Sequence, residues 1–180
     1  LGVVSAYKQD SWLDNAARMF SVTGLTLPVF VVAAAMLATM VRGFHWMPSI
    51  DYVPFFEDPV ANMQIMIWPV LVLVFGEAAP FCRLTRSQML EVIREDYIRT
   101  ARSKGLAERL VVTRHALRNA LLPVLTVAGL NLSRLMAGAL ITEVVFEVRG
   151  MGSAMVEAAN SLDYSLLQSM VMITALFIMA

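Results

Sequence analysis

Long stretches without charge constrain this chain more than any other feature of its sequence. Residues 22–41 form one run with no Asp, Glu, Lys or Arg. A helix of about twenty residues is about 30 Å long, which matches the hydrocarbon core of a bilayer. Over the whole chain 58% of residues are hydrophobic and 16% are charged, whereas soluble domains average about 45–50% apolar and about 25% charged residues. The sequence therefore predicts an all-α integral membrane protein and excludes an ordinary soluble enzyme.

Four apolar segments are predicted to cross the membrane as a polytopic helical bundle. The second contains one acid, Glu77, and the third contains one base, Arg134. Because the chain starts without Met and stops inside its last apolar segment, we expect it to be a fragment, with residues 1–180 in a single transmembrane domain. The predicted spans are residues 22–42, 64–84, 120–145 and 165–180, the last of them truncated.

Basic residues are concentrated between the second and third predicted spans. Residues 83–118 hold nine Lys and Arg against four acids, and the linkers 43–59 and 143–164 carry acids and only one base, Arg149. Basic loops stay on the cytoplasmic side of a membrane. We therefore expect residues 83–118 to face the cytoplasm and the two acidic linkers to face outward. Trp46 and Tyr52 are expected to anchor the outer end of the first span at the headgroup layer.

Gly105 divides the predicted cytoplasmic loop, residues 85–119, into two segments of helical periodicity. Glycine takes positive φ at no steric cost, so it can end one helix before another begins. The pattern predicts a helix, a glycine elbow, a short amphipathic helix and re-entry into the membrane. A solvated basic loop attracted to anionic headgroups is the alternative, but such a loop has no reason to keep leucines at helical spacing. The elbow is therefore predicted to dock a partner. The apolar positions are Leu90, Ile93, Tyr97 and Ala101 before the glycine, and Leu106, Leu110, Val111, Leu117 and Leu121 after it.

A polar stripe follows one face of the third predicted span, at spacings of three and four residues. A charged side chain in a span costs roughly 2.5–3.5 kcal/mol on insertion scales, so Arg134 is expected to face protein or a water-filled cavity. A structural tie and a translocation path are both open. Glu77 is added to the candidate path, although a hydrogen bond to a neighbouring helix is favoured for it. A ridge of Gly129, Ser133 and Ala137 predicts close helix packing. The stripe consists of Asn131, Arg134, Gly138 and Thr142.

Several kinds of chemistry have no motif here. The sequence lacks a G-x-x-x-x-G-K-[ST] phosphate loop, so ATP hydrolysis is expected in a separate chain. Cys82 is the single cysteine and is expected to pack as a small apolar residue. His45 and His115 have no partners at metal-ligand spacing, so we predict no metal and no cofactor.

The residues on both sides of Gly105 resemble a known sequence motif. Residues 99–109 read RTARSKGLAER and residues 114–123 read RHALRNALLP. Together they resemble the cytoplasmic EAA loop of ABC importer permeases, and more narrowly the dipeptide/oligopeptide/nickel subfamily. The similarity extends over essentially the whole chain, including residues 11–14, 27–30, 84–92, 142–146, 149–152 and 163–164. Two positions depart from the broader family pattern. Arg99-Thr100-Ala101 stands where Glu-Ala-Ala is usual, and Leu117-Arg118 where Leu-Pro is usual, which argues against a sugar or phosphate importer.

The resemblance implies a transport subunit rather than an enzyme. Such a permease lies in the plasma membrane and moves dipeptides, oligopeptides, nickel or related small solutes inward by alternating access. It pairs with a second, homologous permease and binds two cytoplasmic ATP-binding subunits and an extracytoplasmic substrate-binding protein, with no nucleic acid. An export or channel subunit and a membrane-embedded enzyme are the alternatives, although residues 64–84 hold no second carboxylate beside Glu77. The resemblance places contacts with the ATPase at Arg99, Thr100, Ala101, Lys104, Gly105, Leu106, Glu108, Arg109 and His115.

Overall fold

Every regular element that the structure describes is helical. The computed structural model describes residues 1–45, 53–136 and 139–179, without the side chains of Ser133, Arg134 and Met136. The predicted anchors Trp46 and Tyr52, and also Ala137 and Gly138, lie outside the described residues. The helices are α1 (Gly2–Tyr7), α2 (Trp12–Thr26), α3 (Val29–Phe44), α4 (Pro59–Ile93), α5 (Asp96–Ser103), α6 (Glu108–Leu110), a π-helix (Val111–Ala116), α7 (Leu117–Met136), α8 (Leu140–Val145), α9 (Met151–Asn160) and α10 (Tyr164–Met179).

The predicted first span, residues 22–42, is not one helix. It contains the end of α2 and most of α3, which are separated at Leu27 and Pro28. Pro28 has φ −60° and ψ 141° and precedes the first turn of α3. Proline lacks an N–H group and disfavours helical geometry in the residue before it. The sequence-based prediction gave too little weight to this single proline within a long apolar run.

One described helix is long and apolar enough to cross a bilayer by itself. This helix is α4, which has 35 residues, and a second crossing is counted if α2 and α3 are taken together as one interrupted span. At 1.5 Å per residue, α4 is about 52 Å long, which exceeds the roughly 30 Å hydrocarbon core. It contains the predicted span 64–84 and continues past its predicted inner end. The predicted spans 120–145 and 165–180 fall on α7 and α8, and on α10.

The first of two compact units comprises Leu1–Thr26 and Gly76–Gly129. It contains α1, α2, the C-terminal part of α4, and the chain from α5 into α7. Its core is formed by apolar side chains from α1, α4, α5, the π-helix and α7. These residues are Ala6, Met89, Ile98, Ala101, Val111, Val112, Ala116 and Ala120.

The predicted helical stripe over residues 87–103 is interrupted. Helix α4 ends at Ile93 and α5 begins at Asp96, with Glu95 in an extended conformation between them. Met89 and Ile98 are both fully buried in the same core cluster. In a straight helix these two residues would be about 14 Å apart along the axis. The break therefore lets both side chains reach one core.

The second compact unit comprises the described residues of Leu27–Phe75 and Leu130–Ala180. Ala33, Val72 and Phe146 form its buried cluster. The Glu143 side chain accepts a hydrogen bond of 2.7 Å from the backbone N–H of Ser153, in the first turn of α9. A carboxylate at this end of a helix satisfies a free N–H group and complements the helix dipole. Glu143 thereby links α8 to α9.

Candidate functional site

Gly105 turns the chain between α5 and α6. Its φ is +76°, a conformation that favours glycine, and its N–H donates to the Arg102 carbonyl at 2.9 Å. A Cβ built on Gly105 would meet no atom within 4 Å. The predicted glycine elbow is therefore confirmed, and it depends on backbone conformation rather than on lack of space.

An ion pair closes the elbow. The Arg102 guanidinium donates to the Glu108 carboxylate from Nε at 3.0 Å and from Nη2 at 2.7 Å. This hydrogen bond from Arg102 holds the pKa of Glu108 below its usual range, against a smaller opposing effect of desolvation. The same bond raises the pKa of Arg102. Two parallel hydrogen bonds fix the relative orientation of the groups as well as their distance, so α5 and α6 are held together across the turn.

Apolar packing also holds α5 against the π-helix that follows α6. Ile98 and Ala101 of α5 are buried against the core cluster that includes Val111 and Val112 of the π-helix. At the other end of the hairpin, the Asn119 amide donates to the Tyr97 hydroxyl at 2.8 Å. We call α5, the Gly105 turn, α6 and the π-helix the elbow hairpin. Its parts are tied at the turn and along the core, and the Tyr97–Asn119 hydrogen bond joins its open end to α7.

Most of the predicted coupling residues are accessible on the elbow hairpin. Arg99, Thr100, Lys104, Gly105 and Arg109 are exposed. Leu106, Glu108 and His115 are partly buried, and Leu106 packs against the core. Ala101 is 8% exposed, so its side chain belongs to the packing beneath the surface. A direct contact between the Ala101 side chain and a partner would require this core to open.

A π-helix joins the elbow to α7. It covers Val111–Ala116 and includes His115. Such helices are rare, usually extend for a single turn, and often occur at functional sites. Apolar periodicity does not reveal it, because Leu106, Val111 and Leu117 keep helical spacing across it. These three side chains pack onto the core, whereas the sequence predicted an exposed apolar surface.

The predicted translocation residues are described in part. Asn131 on α7 and Glu77 on α4 are partly buried, and both take part in interactions. Thr142 on α8 is 2% exposed, and its hydroxyl has no hydrogen-bond partner among the described residues. The Arg134 side chain and Gly138 lie outside the described residues. The path therefore stays a prediction.

In the predicted small-residue ridge, Ala137 and the side chain of Ser133 lie outside the described part of the chain, whereas Gly129 is described. A Cβ built there would meet no atom within 4 Å. The described part of this chain therefore does not use Gly129 for a close helix contact.

A buried charge cluster was not predicted from the sequence. Asp14 on α2 is fully buried, and Arg86 on α4 donates to it from Nε at 2.7 Å and Nη2 at 2.9 Å. Arg18, one turn later on α2, donates at 2.6 Å. The Ser5 hydroxyl of α1 and the backbone N–H of Asp10 complete the hydrogen bonds to this carboxylate. The Asp14 cluster thus ties three helices of the first unit together.

Helix α1 also approaches α4 closely beside this cluster. A Cβ built on Gly2 would lie 2.6 Å from the Cys82 carbonyl oxygen and 2.9 Å from the Thr85 Cβ. Cys82 is itself buried, as expected for a packing residue. The i,i+4 spacing of Asp14 and Arg18 was a visible signal in the sequence. The pairing with Arg86, 72 positions away, was not.

Comparison with known proteins assigns this helical chain to a family. The whole chain, residues 1–180, matches the family described as binding-protein-dependent transport system inner membrane component. The chain belongs to this family, whose members are polytopic α-helical permeases of transport systems in the inner membrane. The family itself is one of transport permease subunits.

Three relatives illustrate the similarity. A putative peptide transport system permease protein of Brucella abortus is 40% identical over 93% of the chain and 54% of its own length. The dipeptide transport system permease protein DppB of Bacillus subtilis is 35% identical over 99% of the chain and 57% of its own length. A di/tripeptide transport system permease protein DppB of Pseudomonas aeruginosa is 36% identical, with 97% and 58% covered. The chain therefore spans a little over half the length of these relatives.

Proposed function

We propose that this chain is the membrane-spanning part of a permease subunit of an ATP-driven importer for dipeptides and oligopeptides. The family match over residues 1–180 carries the proposal, and the relatives that are named for peptide transport favour peptides over nickel. The proposed partners are a second, homologous permease, two cytoplasmic ATP-binding subunits and an extracytoplasmic peptide-binding protein.

The elbow hairpin is the proposed contact with the ATPase. A motion on the cytoplasmic side can reach the membrane only through a contact that does not deform under load. The Arg102–Glu108 pair, the Ile98 core and the Tyr97–Asn119 hydrogen bond give the hairpin this rigidity. Helix α4 leads into the hairpin and α7 leads out of it. Displacement of the hairpin would therefore tilt both helices, as alternating access requires.

The basic charge of residues 83–118 supports a cytoplasmic position for the hairpin. Exposed cations at Arg99, Lys104 and Arg109 surround the turn. The surface that receives the hairpin is therefore expected to be acidic. Lining of the peptide path by Asn131, Arg134, Gly138, Thr142 and Glu77 remains part of the proposal.

Substitution of Gly105 tests the coupling role. In the reconstituted full-length complex, Gly105→Val should reduce the amount of peptide imported per ATP hydrolysed. A β-branched residue is disfavoured at φ +76°, and left-handed backbone costs L-residues roughly 1–2 kcal/mol. The Cβ itself has open space, so the effect isolates backbone conformation.

Gly105→Asn is the matched control, because Asn tolerates left-handed geometry. It should keep most of the coupling. Equal coupling in both variants would contradict the docking role of the hairpin. Peptide efflux instead of uptake, in vesicles of known orientation, would favour an exporter.

A further inference from the structure

A cavity of about 350 Å³ lies within the first compact unit, beside the Asp14 cluster. Three arginines line it, Arg18 from α2 and Arg83 and Arg86 from α4. Ser87 adds an exposed hydroxyl, whereas the Ser21 hydroxyl already donates to the Ala17 carbonyl at 2.8 Å. The lining therefore combines positive charge with hydrogen-bond donors.

The positive charge in this cavity is not fully neutralised. Asp14 is buried behind the arginines, and Asp10, which also pairs with Arg18, is exposed. These two carboxylates offset at most two of the three positive charges. Arg83 is exposed and forms no ion pair with any residue that the structure describes. Arg83 is therefore available to pair with an anion.

The arginines also retain free donors. Each guanidinium carries five N–H groups. Arg86 uses Nε and Nη2 for Asp14, and Arg18 uses Nη2 for Asp10 and Asp14. Nη1 remains on both residues, and Arg83 keeps all of its donors. Guanidinium groups bind phosphate oxygens in pairs, so this donor set suits a phosphate better than a monovalent halide.

Apolar side chains lie next to these donors. Val22, which is 62% exposed, and Leu90 line the same cavity. Arg83 follows directly on the apolar part of α4, at the end of the predicted span 64–84. A basic pocket between helices at this depth meets the phosphate of a membrane lipid, while Val22, the first residue of the predicted span 22–42, meets its acyl chain.

We propose that this cavity binds the phosphate of an anionic phospholipid through Arg83, Arg18 and Arg86. Free inorganic phosphate offers the same chemistry to the three arginines but leaves Val22 uncovered. The proposal is independent of transport, because it concerns lipid retention by the assembled protein. Its failure would leave the proposed import function untouched.

The experiment measures lipid retention by the full-length protein in its assembled complex. The purified, delipidated complex is offered equal amounts of phosphatidylglycerol and phosphatidylcholine, and retained lipid is counted by native mass spectrometry. We expect several-fold preferential retention of phosphatidylglycerol. Arg83→Gln should abolish this preference, whereas Arg94→Gln, which removes an exposed arginine of the same region from outside the cavity, should preserve it.

A second variant and a competitor make the outcome of the experiment decisive. Val22→Trp fills the cavity from an exposed position without removing a charge, and it should lose the same preference even if Arg83→Gln fails to assemble. Inorganic phosphate is added as a competitor to distinguish the two sources. If phosphate displaces lipid and the two lipids are retained equally, the ligand of the cavity is free phosphate rather than a phospholipid. Equal retention without a phosphate effect, or a preference that survives both variants, would overturn the proposal.

Discussion

The two arginines that bind Asp14 differ in what they connect. Arg18 lies on the same helix as Asp14, four residues later, and its side chain is 45% exposed. Arg86 comes from α4, and its side chain is 19% exposed. Loss of Arg18 therefore leaves the tie between α2 and α4 in place, whereas loss of Arg86 removes it.

This difference predicts unequal stability losses. Arg86→Gln should destabilise the assembled protein by about 3 kcal/mol, the low end for breaking a buried pair, because Arg18 still faces the carboxylate. Arg18→Gln should cost no more than about 1 kcal/mol, as expected for a partly exposed pair. Thermal unfolding of the purified complex measures both.

Arg86→Lys is the conservative variant for this comparison. It retains the charge but loses the two parallel hydrogen bonds, so its stability should fall between those of the parent and Arg86→Gln. If the Arg18 and Arg86 variants lose equal stability, the cluster neutralises charge without joining the helices.

Sequence reasoning succeeds at the residue scale where one residue type has one conformational consequence. Gly105 was predicted to take positive φ because helical stripes lie on both sides of it, and the structure confirms this. The Asp14–Arg86 pair has no such local signal. Helical periodicity describes neighbours three or four residues apart, and these residues are 72 positions apart.

At the scale of elements, the titratable Arg102–Glu108 ion pair joins α5 to α6 across the turn of the elbow hairpin. The pKa of Glu108 is lowered by Arg102. A group with a lowered folded-state pKa stabilises the fold above its unfolded pKa, which is about 4.3 for Glu. That contribution is lost as the pH falls from this value through the lower folded value.

The hairpin should therefore loosen at acidic pH and remain closed at neutral pH. Amide hydrogen exchange of residues 102–110, corrected for intrinsic rates, should show protection that declines below about pH 4. Glu108→Gln removes the titrating group and should flatten this dependence. An unchanged pH profile in that variant would assign the loosening to another group.

Two element boundaries show where the sequence pattern was insufficient. The apolar run over residues 22–41 concealed the break at Leu27 and Pro28. The stripe over residues 87–103 concealed the break at Arg94 and Glu95, which is set by the burial of Met89 and Ile98 in one core. In both cases the apolar pattern continued across a turn. One proline determines the first turn, and a tertiary contact determines the second.

At the scale of the whole molecule, the distribution of charge predicts sidedness. Ser103, in α5, and Glu57, in the acidic linker before α4, are both exposed. In a Cys82→Ala background, single cysteines at these positions should react with impermeant thiol reagents from opposite sides of the membrane. Labelling of both cysteines from the same side would contradict the proposed topology.

Cys82 is buried, so its replacement needs its own control. Cys82→Ala alone should insert and assemble like the parent, because alanine fits the space without introducing a polar group. The membrane class could be predicted from composition, and the family from residues around Gly105. The Asp14 cluster that joins α1, α2 and α4 required the structure.

The π-helix, which ends the elbow hairpin and leads into α7, makes this part of the chain unusually tolerant of a length change. A π-turn accommodates about one residue more than an α-turn does. Removal of one residue within 111–116 can therefore convert it to α-helix and keep the side chains of α7 in register. The same deletion in α5 would rotate the residues on its N-terminal side by about 100° relative to those on its C-terminal side. Natural relatives of this protein should thus differ in length by one residue at the π-helix more readily than within α5.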